Sequence, residues 1–143
     1  MEQSISELPL ESTGRILCVD DEPFILSSLK RLLHGQNYEI FAVNSGREGL
    51  AVLKNNPIDL VISDMRMPEM NGAQFLEQVF SQWPDTIRIL LTGYSDAIDM
   101  IAAINRGNIW RYIAKPWNDE ELLITVQQAL AHRYLNEIGR AHV

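Results

Sequence analysis

The stretch Asp59-Leu60-Val61-Ile62-Ser63-Asp64-Met65-Arg66-Met67-Pro68-Glu69-Met70-Asn71-Gly72 decides how this chain folds. Its first part, Asp59 to Ser63, is built on the apolar run Leu60-Val61-Ile62, the pattern of a strand covered on both faces. Its second part begins a long loop at Asp64 and carries the turn signals Pro68 and Asn71-Gly72. From about Ala73 to Trp83 the pattern is helical, and it stops at Pro84. A buried strand, a turn-rich loop and a helix therefore follow one another.

The same alternation extends both ways. Upstream, Arg15 to Val19 reads as a strand and Pro23 to about His34 as a helix. In that helix Phe24, Ile25, Leu29, Leu32 and Leu33 fall near helical spacing, Pro23 suits a first helical position and Gly35 a stop. Glu39 to Val43 is a second strand, and Ser45 caps a helix that ends at Asn55-Asn56-Pro57. Downstream, Ile87 to Leu91 is a strand bounded by Thr92-Gly93, and Asp96 to Arg106 a helix with Ile98, Ile101 and Ile104 on one side. Ile109 to Ala114 is the fifth strand, broken by Lys115-Pro116; Asn118 or Asp119 opens a last helix running to about Ile138. Parallel strands need crossover connections, so five strands alternating with five helices predict an α/β fold with one doubly wound, five-stranded parallel sheet. The expected organisation is a flexible segment at 1–13, one domain at 14–131, and the end of the last helix with a linker or tail at 132–143.

Bulk composition narrows the function. The 143 residues are 46% hydrophobic and 22% charged, the balance of an ordinary globular domain. No apolar run is long enough to span a membrane, and the N-terminus has no basic start followed by an apolar stretch, so a cytoplasmic location is expected. The net charge of −7 argues against direct binding to nucleic acid phosphates. Cys18, inside the run RILCV, is expected to be a small buried side chain.

In an open α/β sheet, ligands bind beyond the carboxyl ends of the strands. Those ends hold Asp20 and Asp21 after the first strand, Asp64 after the third, Thr92 after the fourth and Lys115 after the fifth. Two unit charges about 4 Å apart repel by roughly 4 kcal/mol at an effective dielectric near 20, so three clustered carboxylates call for a cation. All-oxygen ligation without nearby His or Cys favours a hard ion, and a phosphoryl-handling site favours Mg²⁺ over Ca²⁺. Aspartate can act as nucleophile toward phosphorus, and Asp64, opening the long loop, is expected to present an accessible carboxylate.

Four segments, ILCVDDEP (16–23), LVISDMRMPEMNG (60–72), ILLTGYSD (89–96) and WRYIAKPW (110–117), resemble the signature segments of bacterial response-regulator receiver domains. The resemblance spans about Arg15 to Leu130. It implies the flavodoxin-like strand order 2-1-3-4-5, Asp64 as phosphoacceptor, Asp21 as a direct Mg²⁺ ligand, Asp20 as a ligand through water or an aid to it, and the backbone carbonyl of Arg66 as a further ligand. It also implies that Lys115 pairs with Asp64 and later with the phosphoryl oxygens, that Thr92 turns its hydroxyl to the phosphoryl group, and that Tyr112 is the aromatic switch. A cis peptide before Pro116 comes with it, and Arg66 and Tyr94 would tune the lifetime of the acyl phosphate. Implied partners are a sensor histidine kinase or phosphotransfer protein and an output domain or effector, with room for a phosphorylation-dependent dimer. The surface of the fourth helix, fifth strand and fifth helix would carry the signal. Such a module is a switch that catalyses only its own phosphorylation and dephosphorylation, not an enzyme acting on a separate metabolite.

Each residue also has a plainer reading. Asp20-Asp21-Glu22 before Pro23 can serve as a helix cap, Asp64 as a turn residue, Thr92-Gly93 as a strand terminator and Lys115 as a surface lysine. Trp110 and Tyr112 can both be core or edge filler, and Trp110 is expected to be. Three rivals remain at this point: an aspartyl-nucleophile phosphatase, whose second carboxylate would stand where Arg66 is; a flavin electron carrier, disfavoured by acidic residues after the first strand; and a docking-only receiver.

Overall fold

The computed structural model describes residues 14–93, 96 and 104–141. The segment expected at 1–13, together with Tyr94, Ile98, Ile101 and His142, lies outside them. In chain order the elements are β1 (Arg15–Val19), α1 (Pro23–His34), β2 (Glu39–Val43), α2 (Gly46–Asn55), β3 (Leu60–Asp64), α3 (Gly72–Gln82) and β4 (Ile87–Thr92). They are followed by α4, described as helical at 104–107, then β5 (Arg111–Ala114) and α5 (Asp119–Ala141). All strand pairs are parallel and the order is β2-β1-β3-β4-β5. The expected flavodoxin-like order is the observed one.

Alternation along the central strands explains why they read as continuous apolar runs. Ile16, Cys18, Leu60, Ile62, Ile89 and Leu91 face one layer with Leu29 and Leu33 of α1 and Leu122, Val126 and Ala129 of α5. Leu17, Val19, Val61 and Leu90 face the other, with Leu53 of α2 and Phe75, Leu76 and Val79 of α3. Every one of these side chains is buried, and each Val, Leu, Ile and Phe among them contributes about 1.5–3 kcal/mol by removing apolar surface from water. Cys18 is buried as expected, and burial pushes its thiol up to about 12, so it remains protonated.

Local chemistry sets the helix starts on the functional rim. Asn71 caps α3 in a reciprocal capping box with Gln74, both bonds 2.9 Å. Ser45 accepts from the Glu48 amide at the start of α2, and Asn118 from the Glu121 amide at the start of α5. Glu22 is the cap residue of α1 without a side-chain cap bond; the Glu22 amide is taken instead by Asp20 Oδ1 at 2.9 Å.

Two boundaries differ from expectation in ways that matter. The third strand runs one residue further, through Asp64, because the β3–β4 ladder continues to the Asp64–Leu91 pair and the Met65 amide donates to Leu91 O at 3.0 Å. The fifth strand is shorter, Arg111–Ala114, and lies at a sheet edge where Arg111, Tyr112 and Ala114 are exposed. Trp110 precedes it, half-buried against the α1/α5 layer, stacked on His132 with ring centroids 5.9 Å apart and under the Arg111 guanidinium.

Candidate functional site

The carboxyl ends of β1 and β3 place one ligand oxygen from each of Asp20, Asp21 and Asp64 within 4.8 Å of one another. Asp20 and Asp64 are buried while Asp21 is exposed. From the end of β5, the Lys115 ammonium reaches Asp64 Oδ1 at 2.7 Å and Asp20 Oδ2 at 3.4 Å, with Glu22 Oε1 at 3.9 Å. The Lys115 amide donates to Thr92 O at 2.7 Å, which ties the lysine's backbone to the end of β4. Thr92 is buried there, and the Lys115–Pro116 bond is cis.

Asp64 is not the accessible loop carboxylate that its place in the sequence suggests. It is the last strand residue and only 5% exposed, because the ladder holds its backbone and Lys115 covers its carboxylate.

Electrostatics follow from that burial. Desolvation raises the Asp20 carboxyl to about 6, with help from the negative Asp64 and against the Glu22 amide and Lys115. Asp64 is also raised by burial, with Lys115 pulling the other way. Burial works against the Lys115 charge, but the hydrogen bond and charge of Asp64, joined by Asp20, outweigh it and hold the ammonium above its ordinary value. Two buried carboxylates that share one lysine, with an exposed third beside them, form an oxygen donor set short of positive charge. A hard divalent cation fits it, and the open cleft beside it, about 360 Å³ and lined by Asp21, Met65, Arg66, Met67, Pro68 and Asn71, leaves room for ligands.

Other residues shape the site without a signal that a charge pattern would reveal. A Cβ on Gly72 would fall 2.2 Å from Asp64 O, and the Gly72 amide donates to Met65 O at 2.7 Å. The loop therefore closes directly on the backbone of the central aspartate, and the turn signal at Asn71-Gly72 reflects that contact. Glu69 in this loop holds φ 69°, a left-handed conformation uncommon outside glycine. Asp96, read from the sequence as a helix start, is buried and accepts from both the Arg66 Nε and the Gly93 amide. Tyr112 is 52% exposed and turned away from the core. His34 and His132 lie at the end of α1 and on α5, outside the acidic cluster.

Comparison with known proteins gives a consistent set of likenesses. The model of the "Response regulator receiver domain" family matches residues 16–127. The chain is 38% identical over 120 residues to the hydrogenase transcriptional regulatory protein HoxA of Cupriavidus necator, covering 84% of this chain and 25% of that protein. Its structure resembles the signal receiver domain of an HD domain-containing protein from Pseudomonas fluorescens Pf-5, with TM-score 0.85, 39% identity, and 88% and 93% of the two chains covered. It also resembles a CheY-like receiver domain protein from Methanospirillum hungatei, with TM-score 0.82, 33% identity, and 87% and 99% covered. The chain spans about a quarter of the length of the curated relatives it matches.

Proposed function

Because the chain belongs to the response regulator receiver domain family, we propose that it is a phosphorylation-dependent switch that takes a phosphoryl group onto Asp64 from a sensor histidine kinase or phosphotransfer protein. The observation that carries this reading is the convergence of the Asp20, Asp21 and Asp64 carboxylates on one point with Lys115 against Asp64. A carboxylate oxygen of Asp64 attacks phosphorus, the P–O bond forms, and the P–N bond to the donor imidazole breaks. Lys115 offsets the charge of the phosphoryl oxygens, and Thr92 turns its hydroxyl to them. Asp21, Asp64 and the backbone carbonyl of Arg66 would hold Mg²⁺, with Asp20 acting through water. Bound there, Mg²⁺ supplies positive charge to the phosphoryl oxygens as they transfer.

Phosphorylation then shifts an equilibrium between two conformations, with Thr92 and Tyr112 linking Asp64 to the α4–β5–α5 surface. The exposure of Tyr112, Ile104 and Ile124 suits that surface to an output domain, an effector or a phosphorylation-dependent second copy. The domain proper is 14–131, with 132–143 as the end of the last helix and a linker or tail. Arg66 and Tyr94 set the lifetime of the acyl phosphate. The only chemistry is the switch's own phosphorylation and hydrolysis. Among the described residues no helix is long and apolar enough to cross a membrane. We place the protein in the cytoplasm and assign this segment no nucleic acid contact.

An aspartyl phosphatase is the less favoured reading, since the position two beyond Asp64 is a cation, Arg66, engaged with Asp96. Intact mass after incubation with acetyl phosphate separates the readings. A gain of about 80 Da that needs both Mg²⁺ and Asp64, and is absent in Asp64→Asn, is expected. Steady turnover of a phosphomonoester without a stable adduct would favour the phosphatase.

A further inference from the structure

The Asp96 carboxylate stands between the two loops that flank Asp64. It is 3% exposed, and both of its oxygens are used: Oδ1 takes the Arg66 Nε–H, and Oδ2 takes the Gly93 amide at 2.6 Å. Arg66 lies two residues beyond Asp64, and Gly93 follows Thr92 directly. The Arg66 side chain itself is 59% exposed and lines the cleft that it shares with Asp21. A largely exposed cation is therefore parked on a buried anion at the mouth of the site.

We infer that Asp96 is a positioning residue that holds Arg66 off the phosphoacceptor, and that phosphorylation of Asp64 draws the guanidinium from Asp96 to the phosphoryl oxygens. This rests on the phosphoacceptor reading of Asp64. A phosphoryl group brings about −1.5 to −2 charges and three acceptor oxygens, against one carboxylate charge on Asp96, and a planar guanidinium suits those oxygens bidentately. Once Arg66 leaves, the Asp96 carboxylate is buried without its cation, an unfavourable state that is relieved when the carboxylate turns toward water. That movement withdraws the bond to the Gly93 amide, directly after Thr92. The exchange makes Asp96 a determinant of how long the phosphoryl group lasts.

A kinetic double-mutant cycle tests this. The proteins are wild type, Asp96→Asn, Arg66→Ala and the double variant, each loaded with acetyl phosphate and Mg²⁺; decay of the adduct is followed by intact mass. Asn keeps an oxygen for the Gly93 amide but removes the charge that competes for Arg66. Asp96→Asn should lengthen the adduct's lifetime about threefold or more in the wild-type background and leave it within about 1.5-fold in the Arg66→Ala background. An equal change in both backgrounds would mean that Asp96 acts only as a structural cap, and the inference falls while the phosphoacceptor reading stands. No adduct in any protein would sink both. Should Asp96→Asn not fold, the wild type suffices: the ¹⁵N–¹H signal of Arg66 Nε, assigned by its loss in Arg66→Lys, should shift when beryllofluoride and Mg²⁺ load the site. An unmoved signal with the site loaded overturns the exchange.

Discussion

Lys115 Nζ stands 2.7 Å from Oδ1 of Asp64, and this one contact covers the carboxylate that the proposed phosphorylation would use. The lysine therefore does two things at once in the resting state: it compensates a buried charge and closes access to it. Removing it leaves Asp64 and Asp20 buried without their cation. We expect Lys115→Ala to retain the fold with a stability loss of about 1–3 kcal/mol in urea, below the cost of breaking a fully buried pair because the lysine side chain is 19% exposed. Acetyl phosphate labelling should slow by an order of magnitude or more, as the phosphoryl oxygens lose a fixed charge. Unchanged labelling would remove Lys115 from the site's chemistry.

Asp20 makes the pH dependence specific. Its carboxyl is raised by burial from the ordinary 3.8 to about 6, so the folded protein binds a proton more tightly than the unfolded chain. The associated stability is fully present below pH 3.8 and is lost as pH rises through about 6, leaving a cost at neutral pH. Without Mg²⁺, Asp20→Asn should therefore be more stable than wild type by roughly 1–3 kcal/mol at pH 7.5, with the advantage shrinking toward pH 4. Urea melts at several pH values read this directly, and a variant less stable at pH 7.5 would contradict it.

Mg²⁺ should stabilise the fold in competition with the protons. At pH 7.5 it relieves the repulsion among three carboxylates, so millimolar Mg²⁺ raises Tm; at pH 5, protonated Asp20 competes and the gain falls. In Asp21→Asn, the exposed member of the cluster, the gain at pH 7.5 should largely vanish. A Tm response equal at both pH values would place the cation elsewhere.

Much of this is legible in the sequence. Leu60-Val61-Ile62 and RILCV read as doubly covered strands because their alternate residues do face two layers. The acidic pair, Asp64 and Lys115 converge because topology alone gathers strand ends. What was hidden depends on distances between segments far apart in sequence. Asp96 looks like any helix start until Arg66, 30 residues earlier, closes on it. The burial of Asp64 needs a ladder bond to Leu91 and a lysine from β5, neither visible in a loop pattern. The exposure of β5 follows from its edge position, which the apolar run Ile109 to Ala114 does not disclose.

The loop after Asp64 offers two opposed backbone tests. Gly72→Ala should cost about 1–3 kcal/mol or more, since a Cβ 2.2 Å from Asp64 O meets backbone that a side-chain rotation cannot clear. Glu69→Gly should stabilise by a few tenths to about 1 kcal/mol, because φ 69° strains a side-chain-bearing residue, less glycine's greater freedom in the unfolded chain. Denaturant midpoints at unchanged slope measure both; the same sign for the two would mean that the loop adapts.

Arg88 is the buried cation on the opposite end of β4, and its role is structural. Its Nε donates to Gly107 O at 2.9 Å, one terminal nitrogen to Pro84 O at 3.1 Å and the other to Asn108 O at 3.2 Å, while the guanidinium lies 4.8 Å from the centre of the Phe80 ring. Those carbonyls close the end of α3 and the turn after α4, where Asn108 holds φ 49°. A single planar side chain thus satisfies acceptors from two connections, which three ammonium hydrogens on a flexible stem cannot match. Arg88→Met should cost about 2–4 kcal/mol by stranding buried carbonyls, and Arg88→Lys should recover less than half of that. Because Arg88 is far from the acidic rim along its strand, acetyl phosphate labelling of whatever folds should proceed at the wild-type rate. Slow labelling in a folded Arg88→Lys protein would instead show that the α4–β5 turn communicates with Asp64.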